Sequence, residues 1–324
     1  SYQQISTICG KLPGMTVRQA GLLTTVQDAG RWGCQDLGVP VSGAMDPQAL
    51  ALGNLLVGND PGAAALELTV TGPELIFDTD ALIAMTGADL QMTCNDIPVA
   101  PWTACLIHAG DVVSFGTAPT GCRAWLCVAG GIDLPPVLKS RSTLLRAGFG
   151  GLDGRALRTG DTLPLRPPAA AVRALEGYVC PPELRTPGAT DTPIPVLPGP
   201  QQQALTPAAQ ERFLTTAWQV TAGTDRMGCR LDGPALQLAG SADIISEYVP
   251  AGAVQITGSG RPILLLSDCQ TTGGYIKPFI VASAALGRLA QLQPGDTVRF
   301  RRCAPQEAQA LLVKQQQDRL QLVR

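Results

Sequence analysis

The sequence predicts a mainly β protein built as two domains with a few short helices, and three observations predict it. A chain of 324 residues is long for a single hydrophobic core, which favours two domains. It holds 36 Gly and 27 Pro, the residues that punctuate short strands and tight turns. Its apolar runs are short and end in those turn residues, and no αβα alternation with dinucleotide-binding spacing interrupts them. Hydrophobic residues make up 45% and charged residues 15%, which describes a core-rich protein whose weakly charged surface suits contact with a partner.

In chain order, residues 17–26 read as an opening strand and turn, and residues 27–33 as a loop rich in hydrogen-bonding groups. Asp46-Pro47 then starts a helix: the Asp side chain accepts from free backbone N–H groups, and the missing N–H of Pro does no harm at the first position. Ala49, Leu50, Gly53, Leu56 and Val57 give that helix an apolar face, and Gly58 stops it. Ser42 and Asp46 therefore stand at a loop-to-helix junction. Leu66-Glu67-Leu68-Thr69-Val70 alternates with the period of a half-buried strand, which turns Glu67 outward, either to solvent or into a cleft. Residues 81–86 and 124–128 read as buried strands. Gly-Asp followed by alternating apolar positions occurs at residues 110, 160 and 295, each time as a turn that launches a strand. Gly72-Pro73 recurs as Gly233-Pro234. The domain expectation is residues 15–166, a Pro/Ala-rich connection over 167–193, and residues 194–324, with a helix opened by Thr206-Pro207 and a polar terminal helix over 305–322.

Several function classes fall away. A net charge of −2 argues against nucleic acid, which calls for a basic patch. Ten cysteines include no Cys-x-x-Cys pair, and the single histidine, His108, cannot build a zinc site with them. His108 lies just before a turn and reads as structural, not as a catalytic base. The glycine-rich run 148–154 lacks the Lys-Ser/Thr of a phosphate loop. No run reaches the ~18 apolar residues of a membrane span. Residues 1–13 have no apolar core of signal-peptide length, so the expected location is cytoplasmic, with reduced thiols.

The chemistry concentrates in Asp268-Cys269-Gln270-Thr271-Thr272-Gly273-Gly274-Tyr275-Ile276-Lys277, directly after the apolar run Pro262-Ile263-Leu264-Leu265-Leu266. An amide, two hydroxyls, a phenol and an ammonium follow a buried strand, and a Gly pair lets the backbone approach a ligand. The alternative is a polar surface turn. Upstream, Asp225-Arg226-Met227-Gly228 offers a guanidinium whose fork fits a substrate carboxylate, or else a surface pair between Asp225 and Arg226. Glu247 follows the apolar Ile244-Ile245. The candidate catalytic residues are Glu247 or Asp46 as base and Lys277 to polarise a carbonyl. The candidate substrate-binding residues are Arg226, Gln270, Thr271, Thr272, Tyr275, Ser42 and Glu67.

A resemblance sharpens this reading. Thr25-Val26-Gln27-Asp28-x-Gly30-Arg31, Gly38-Val39-Pro40-x-Ser42-Gly43-Ala44-Met45-Asp46 and Asn54-Leu55-Leu56-Val57-Gly58-Asn59 resemble the biotin-dependent carboxyltransferase family, also called allophanate hydrolase subunit 2. So do Val128-Ala129-Gly130-Gly131-Ile132-Asp133, Ser140-Arg141-Ser142-Thr143, Val196-Leu197-Pro198-Gly199-Pro200-Gln201, Asp225-Arg226-Met227-Gly228 and Gln270-Thr271-Thr272-Gly273-Gly274-Tyr275. The matches run in order along nearly the whole chain.

The resemblance implies two cyclophilin-like β-barrel domains. It also implies a subunit of an ATP-dependent complex, with partner subunits B and A, that opens 5-oxo-L-proline to L-glutamate. Within the same family, an alternative is a carboxyltransferase subunit that acts on urea or a related amide, with carboxybiotin carried by another protein. A further alternative is a non-catalytic regulator that binds a kinase-inhibitor partner. The chain itself has neither a biotin-carrying Met-Lys-Met segment nor an ATP-grasp region. It departs from the family pattern at Ile276, where Pro is usual, at Tyr248, where Gly is common, and at Ala285, where Asp is common.

Overall fold

The computed structural model describes residues 13–168, 172–188 and 192–322. It is mainly β with few helices, and its contacts divide it into two units. The first comprises Ser1–Arg31, Pro47–Arg185 and Asp318–Arg324, and the second Trp32–Asp46 and Thr186–Gln317. The segment Trp32–Asp46 thus groups with residues more than a hundred positions downstream.

The first unit carries β1 (Gly14–Gln19), β2 (Leu23–Gln27), helix α1 (Pro47–Leu56), β3 (Ala65–Thr69), β4 (Glu74–Phe77), β5 (Ala81–Gly87), β6 (Thr93–Cys94), β7 (Ile97–Pro98), β8 (Ala104–Ile107), β9 (Val112–Ser114), β10 (Arg123–Val128) and β11 (Thr162–Pro164). They form two sheets, ordered β11-β1-β4-β9-β6-β7 and β2-β3-β10-β5-β8. The expected opening strand and turn is therefore two strands, and they enter different sheets. Met15, Val17, Leu75, Phe77 and Leu163 of one sheet and Val26, Leu66, Leu68, Ile83, Met85 and Leu126 of the other share one core.

The runs expected as buried strands are β5 and β10. All six residues of β10 are buried because α1 covers the face of the sheet turned away from that core. Gly53 makes this possible: a Cβ there would lie 2.8 Å from Cys127 Sγ and 2.9 Å from Thr86 Oγ1. Thr86 donates to the Ala49 carbonyl at 2.8 Å across the same contact. The helix is buried nearly all round, Gln48 and Asn54 included, and not only along the stripe that the sequence marks. Gly58 ends it at φ 75°.

The second unit carries β12 (Ile194–Pro198), α2 (Pro207–Thr215), β13 (Trp218–Val220), β14 (Gly228–Asp232), β15 (Asp243–Tyr248), β16 (Ala253–Ile256), β17 (Pro262–Leu265), β18 (Thr272–Tyr275), β19 (Phe279–Val281), the single turn α3 (Leu286–Leu289), β20 (Thr297–Val298), β21 (Phe300–Arg302) and α4 (Pro305–Leu322). Eight strands make one sheet, ordered β20-β13-β14-β17-β16-β19-β12-β21, and β15 and β18 make a separate ribbon. The Thr206 hydroxyl caps α2 by accepting from the Ala209 N–H at 3.2 Å. Phe213 of α2 stacks between Phe279 and Phe300, with ring centroids 4.6 and 4.7 Å away. Arg301 pairs with Glu307 near the start of α4 at 2.6 Å, and the last turns of that helix group with the first unit.

The three Gly-Asp motifs are one turn used three times. Gly110, Gly160 and Gly295 have φ of 94°, 91° and 95°, values that glycine adopts without a Cβ penalty. Each following Asp accepts from a backbone N–H three residues earlier: Asp111 from His108 at 2.8 Å, Asp161 from Arg158 at 2.7 Å, and Asp296 from Gln293 at 2.8 Å. Each turn hands the chain to a strand, β9, β11 and β20. The Gly-Pro pairs also share a reason: a Cβ on Gly72 would meet the Phe115 ring at 2.7 Å, and one on Gly233 the Trp218 ring at 2.7 Å.

Candidate functional site

The stretch 268–277 runs from a buried clasp at one end to a half-buried ion pair at the other, both inside the second unit. At the first end, Arg226 donates Nε to Asp268 Oδ2 at 2.9 Å and Nη2 to Asp268 Oδ1 at 2.9 Å. Nη2 also donates to the Gly43 carbonyl at 2.6 Å and reaches Ser42 Oγ at 3.5 Å. Both ion partners are about 5% exposed. The fork geometry expected for Arg226 is present, and the carboxylate it holds is Asp268. Asp225 makes no pair with Arg226; its Oδ1 instead accepts from the Met227 N–H at 2.8 Å. Ser42, at φ 57°, donates its backbone N–H to the Ser267 carbonyl at 3.0 Å. Asp46 is fully buried against Gly287, where any Cβ would collide with its carboxylate. Arg226 and Ser42 thus fix the segment 42–43 to the loop after β17, and Asp46 packs the same segment against α3.

At the other end, Lys277 is 2% exposed in its side chain, and its Nζ lies 2.6 Å from Glu247 Oε1. Glu247 stands on the open ribbon, its side chain 45% exposed. Gln201 donates Nε2 to the same carboxylate oxygen at 2.7 Å and accepts the Lys277 backbone N–H at 3.0 Å. One amide therefore grips both members of the ion pair. The Lys277 ammonium, and next the Gln201 amide, hold the Glu247 carboxyl below the usual glutamate range. Glu247 is consequently ionised and weakly basic, and the Lys277 side chain that pairs with it is almost closed to water.

Glu247 faces Gly273 across the ribbon. Beside Gly273 two amides converge: a Cβ there would lie 2.7 Å from Gln255 Nε2 and 3.4 Å from Gln270 Nε2. Gln255 is 2% exposed, and its Nε2 donates to no described residue. A buried donor without a partner costs ~1–3 kcal/mol, and an acceptor brought in by a ligand removes that cost. Thr271 is buried, Thr272 exposed, and Tyr275 exposed at the end of β18. The structure therefore places Glu247, Thr272 and Tyr275 on one ribbon with Gln270 and Lys277 at its ends, Ser42 and Arg226 in the clasp, and Asp46 against α3.

Glu67 stands apart. It is 1% exposed on β3 of the first unit, 3.9 Å from Arg123 Nε, on the sheet face that α1 covers. The alternation of β3 is as the sequence predicts, but both faces of the strand are buried. Gln201 and Gln255 are site residues that the sequence does not single out. Gln201 reaches Glu247 from 46 positions away, and Gln255 reads as an ordinary residue of an apolar strand.

Among the described residues, no group of three or more His, Cys, Asp or Glu is placed to hold a metal, and no helix is long and apolar enough to cross a membrane. His108 contacts Asp111 at 3.7 Å with its side chain 65% exposed. Burial pushes the thiols up, to about 11 for Cys94 and Cys180 and about 12 for Cys269, which makes them poor nucleophiles. The glycines at 150 and 151 are required by packing, since a Cβ on either would collide with Ser142 or Thr143.

The chain belongs to the carboxyltransferase domain family, subdomains A and B, which it matches over residues 37–302. It is similar along nearly its whole length to the C subunit of the 5-oxoprolinase of Escherichia coli (strain K12), with 38% identity over 307 residues, 94% of this chain and 96% of that protein. It is also 36% identical to the urea amidolyase of Lachancea kluyveri over 93% of this chain, which spans 17% of that longer protein. The crystal structure of the K. lactis urea amidolyase superposes with a TM-score of 0.90 and 32% identity over 97% of this chain, a fifth of that protein's length.

Proposed function

We propose that the chain is a subunit of an ATP-dependent 5-oxoprolinase that, with partner subunits B and A, hydrolyses 5-oxo-L-proline to L-glutamate. The observation that carries this reading is the end-to-end correspondence with the 5-oxoprolinase C subunit, which this chain matches over 96% of its length. The ribbon chemistry suits the substrate. A lactam presents a carbonyl oxygen, a ring N–H and a carboxylate. Lys277 and the amides of Gln255 and Gln270 supply donors for the oxygens, and Thr272 and Tyr275 add hydroxyls on the same ribbon.

Hydrolysis breaks the ring C–N bond, forms a C–O bond to water, and puts a proton on the nitrogen that leaves. Lys277 stabilises the negative charge that grows on the carbonyl oxygen. Glu247, held ionised, orients the ammonium and accepts a hydrogen bond from the attacking water. Ser42 and Arg226 act behind this pair by holding the loop 268–277 in place. ATP, consumed by the complex, activates the unreactive lactam; no nucleotide is placed on the glycine-rich turn of this chain.

A carboxyltransferase reading, in which urea or a related amide takes a carboxyl group from carboxybiotin on another protein, draws support from the similarity to urea amidolyase. The same Lys277 would then stabilise the enolate-like oxygen of the biotin ureido group, without any residue here that binds biotin covalently. An assay separates the two. The chain is mixed with its B and A partners, and ATP-dependent loss of 5-oxoproline and gain of glutamate are followed. Turnover is the expected result. Carboxybiotin-dependent turnover of urea with none of 5-oxoproline would replace the first reading by the second.

A further inference from the structure

A recess of about 220 Å³ opens in the first unit between the turn at 60–64 and the turn at 130–132. Its walls are backbone and methyl groups because Gly62, Ala63, Gly130 and Gly131 carry no larger side chain. Gly131, at φ 78°, leaves space toward Ala63, whose Cβ would lie 3.6 Å from an added Cβ. Several wall N–H groups are already taken: Gly130 donates to Asn59 Oδ1 at 2.7 Å, Gly131 to the Val128 carbonyl at 2.8 Å and Ala63 to the Asp60 carbonyl at 3.0 Å. The remaining polar lining is two guanidiniums, Arg141 and Arg166, and one carboxylate, Asp60.

The two guanidiniums are incompletely used. Arg141 donates Nε to the Leu134 carbonyl at 2.6 Å and approaches Asp133 Oδ1 with Nη2 at 3.8 Å. Arg166 donates Nη2 to that same oxygen at 2.8 Å. The other N–H groups of both forks bond to none of the described residues. Two cations thus share one oxygen of one carboxylate at the edge of the recess. The Arg141 side chain is 26% exposed and that of Arg166 53%, so the first is held and the second can move onto a guest.

We propose that this recess binds a small molecule through a single carboxylate group, with Arg141 and Arg166 as its partners. The planar fork of Arg matches a carboxylate by paired bonds. The volume is below the range for drug-sized ligands and suits a short-chain organic acid. Asp60 and Asp133 offset the two cations, so binding rests on the paired bonds of the forks, and a dianion meets stronger repulsion from both acids than a monoanion does. The site lies wholly in the first unit, contains none of the ribbon residues, and stands or falls independently of the reaction proposed above.

The test is a titration of the ¹⁵N-labelled full chain with sodium acetate at constant ionic strength, and in parallel with inorganic phosphate. Saturable shifts of the Gly130, Gly131 and Arg141 Nε–H signals are expected with acetate, at a Kd on the order of millimolar. Arg166→Gln, at an exposed position, should weaken binding about tenfold, the effect of one charge-assisted bond. Ala63→Leu, which fills the recess and keeps both cations, should abolish the shifts. Absence of saturation, or equal binding in the wild type and both variants, overturns the site. Tighter binding of phosphate than of acetate overturns the assignment to carboxylates.

Discussion

At the scale of residues, the proposed reaction rests most on Lys277, and its environment makes its substitution informative. Lys277→Ala should lower turnover of the assembled complex by about 10²–10³-fold, the usual cost of losing one preorganised group that stabilises developing charge. Assembly should be unchanged by size-exclusion chromatography; turnover within twofold of wild type would remove Lys277 from the mechanism. Gln201→Leu is subtler. Lys277 lowers the Glu247 pKa most and Gln201 next, so the variant should raise it.

A group whose folded pKa is depressed contributes above its unfolded pKa and loses that contribution as pH falls through the folded value. The acid limb of the pH–rate profile should therefore move to higher pH in Gln201→Leu, with kcat at neutral pH reduced less than in Lys277→Ala. An unmoved limb would show that Gln201 only packs. Gln201 also shows why part of the site is hidden in the sequence. Its motif, Pro198-Gly199-Pro200-Gln201, looks like a turn, and nothing in local spacing reports that it meets a ribbon 46 residues on. Arg226 is similar: the sequence marks the guanidinium, but the 42-residue separation from Asp268 conceals which carboxylate it holds.

At the scale of elements, legibility follows burial. β5, β10 and β17 are apolar runs between turn residues and are visible as strands. Thr206-Pro207 shows α2 through its cap, and the Gly-Asp turns show where β9, β11 and β20 begin. The ribbon strand β15 is different, because five of its six residues are exposed and Ile245 is 93% exposed, so no alternation marks it. Helix α1 tests the packing argument. Gly→Ala inside a helix ordinarily stabilises by ~1 kcal/mol, but a methyl at position 53 would press on Cys127 and Thr86. Gly53→Ala should instead destabilise the protein by roughly 1–3 kcal/mol, as overpacking does. Urea denaturation measures the sign, and a stabilised variant would mean that α1 sits less closely on its sheet than the structure has it.

At the scale of the whole molecule, the two-domain expectation rests on length and on the Pro-rich stretch. The contact-based division falls between Arg185 and Thr186 and also assigns Trp32–Asp46 to the second unit. No composition change marks residues 32 or 46, since a segment's partner is a property of the folded chain and not of its local sequence. That assignment constrains recombination. In a chimera with a homologue joined at residue 185, the second unit would come from one parent and its 32–46 segment from the other. Gly43 and Ser42 would then meet a foreign Arg226 and Ser267. Such a hybrid should be poorly soluble, and moving residues 32–46 together with 186–317 should restore it; equal solubility of both hybrids would refute the dependence. For inheritance by gene shuffling, the smallest exchangeable block is thus two pieces of the gene, not one.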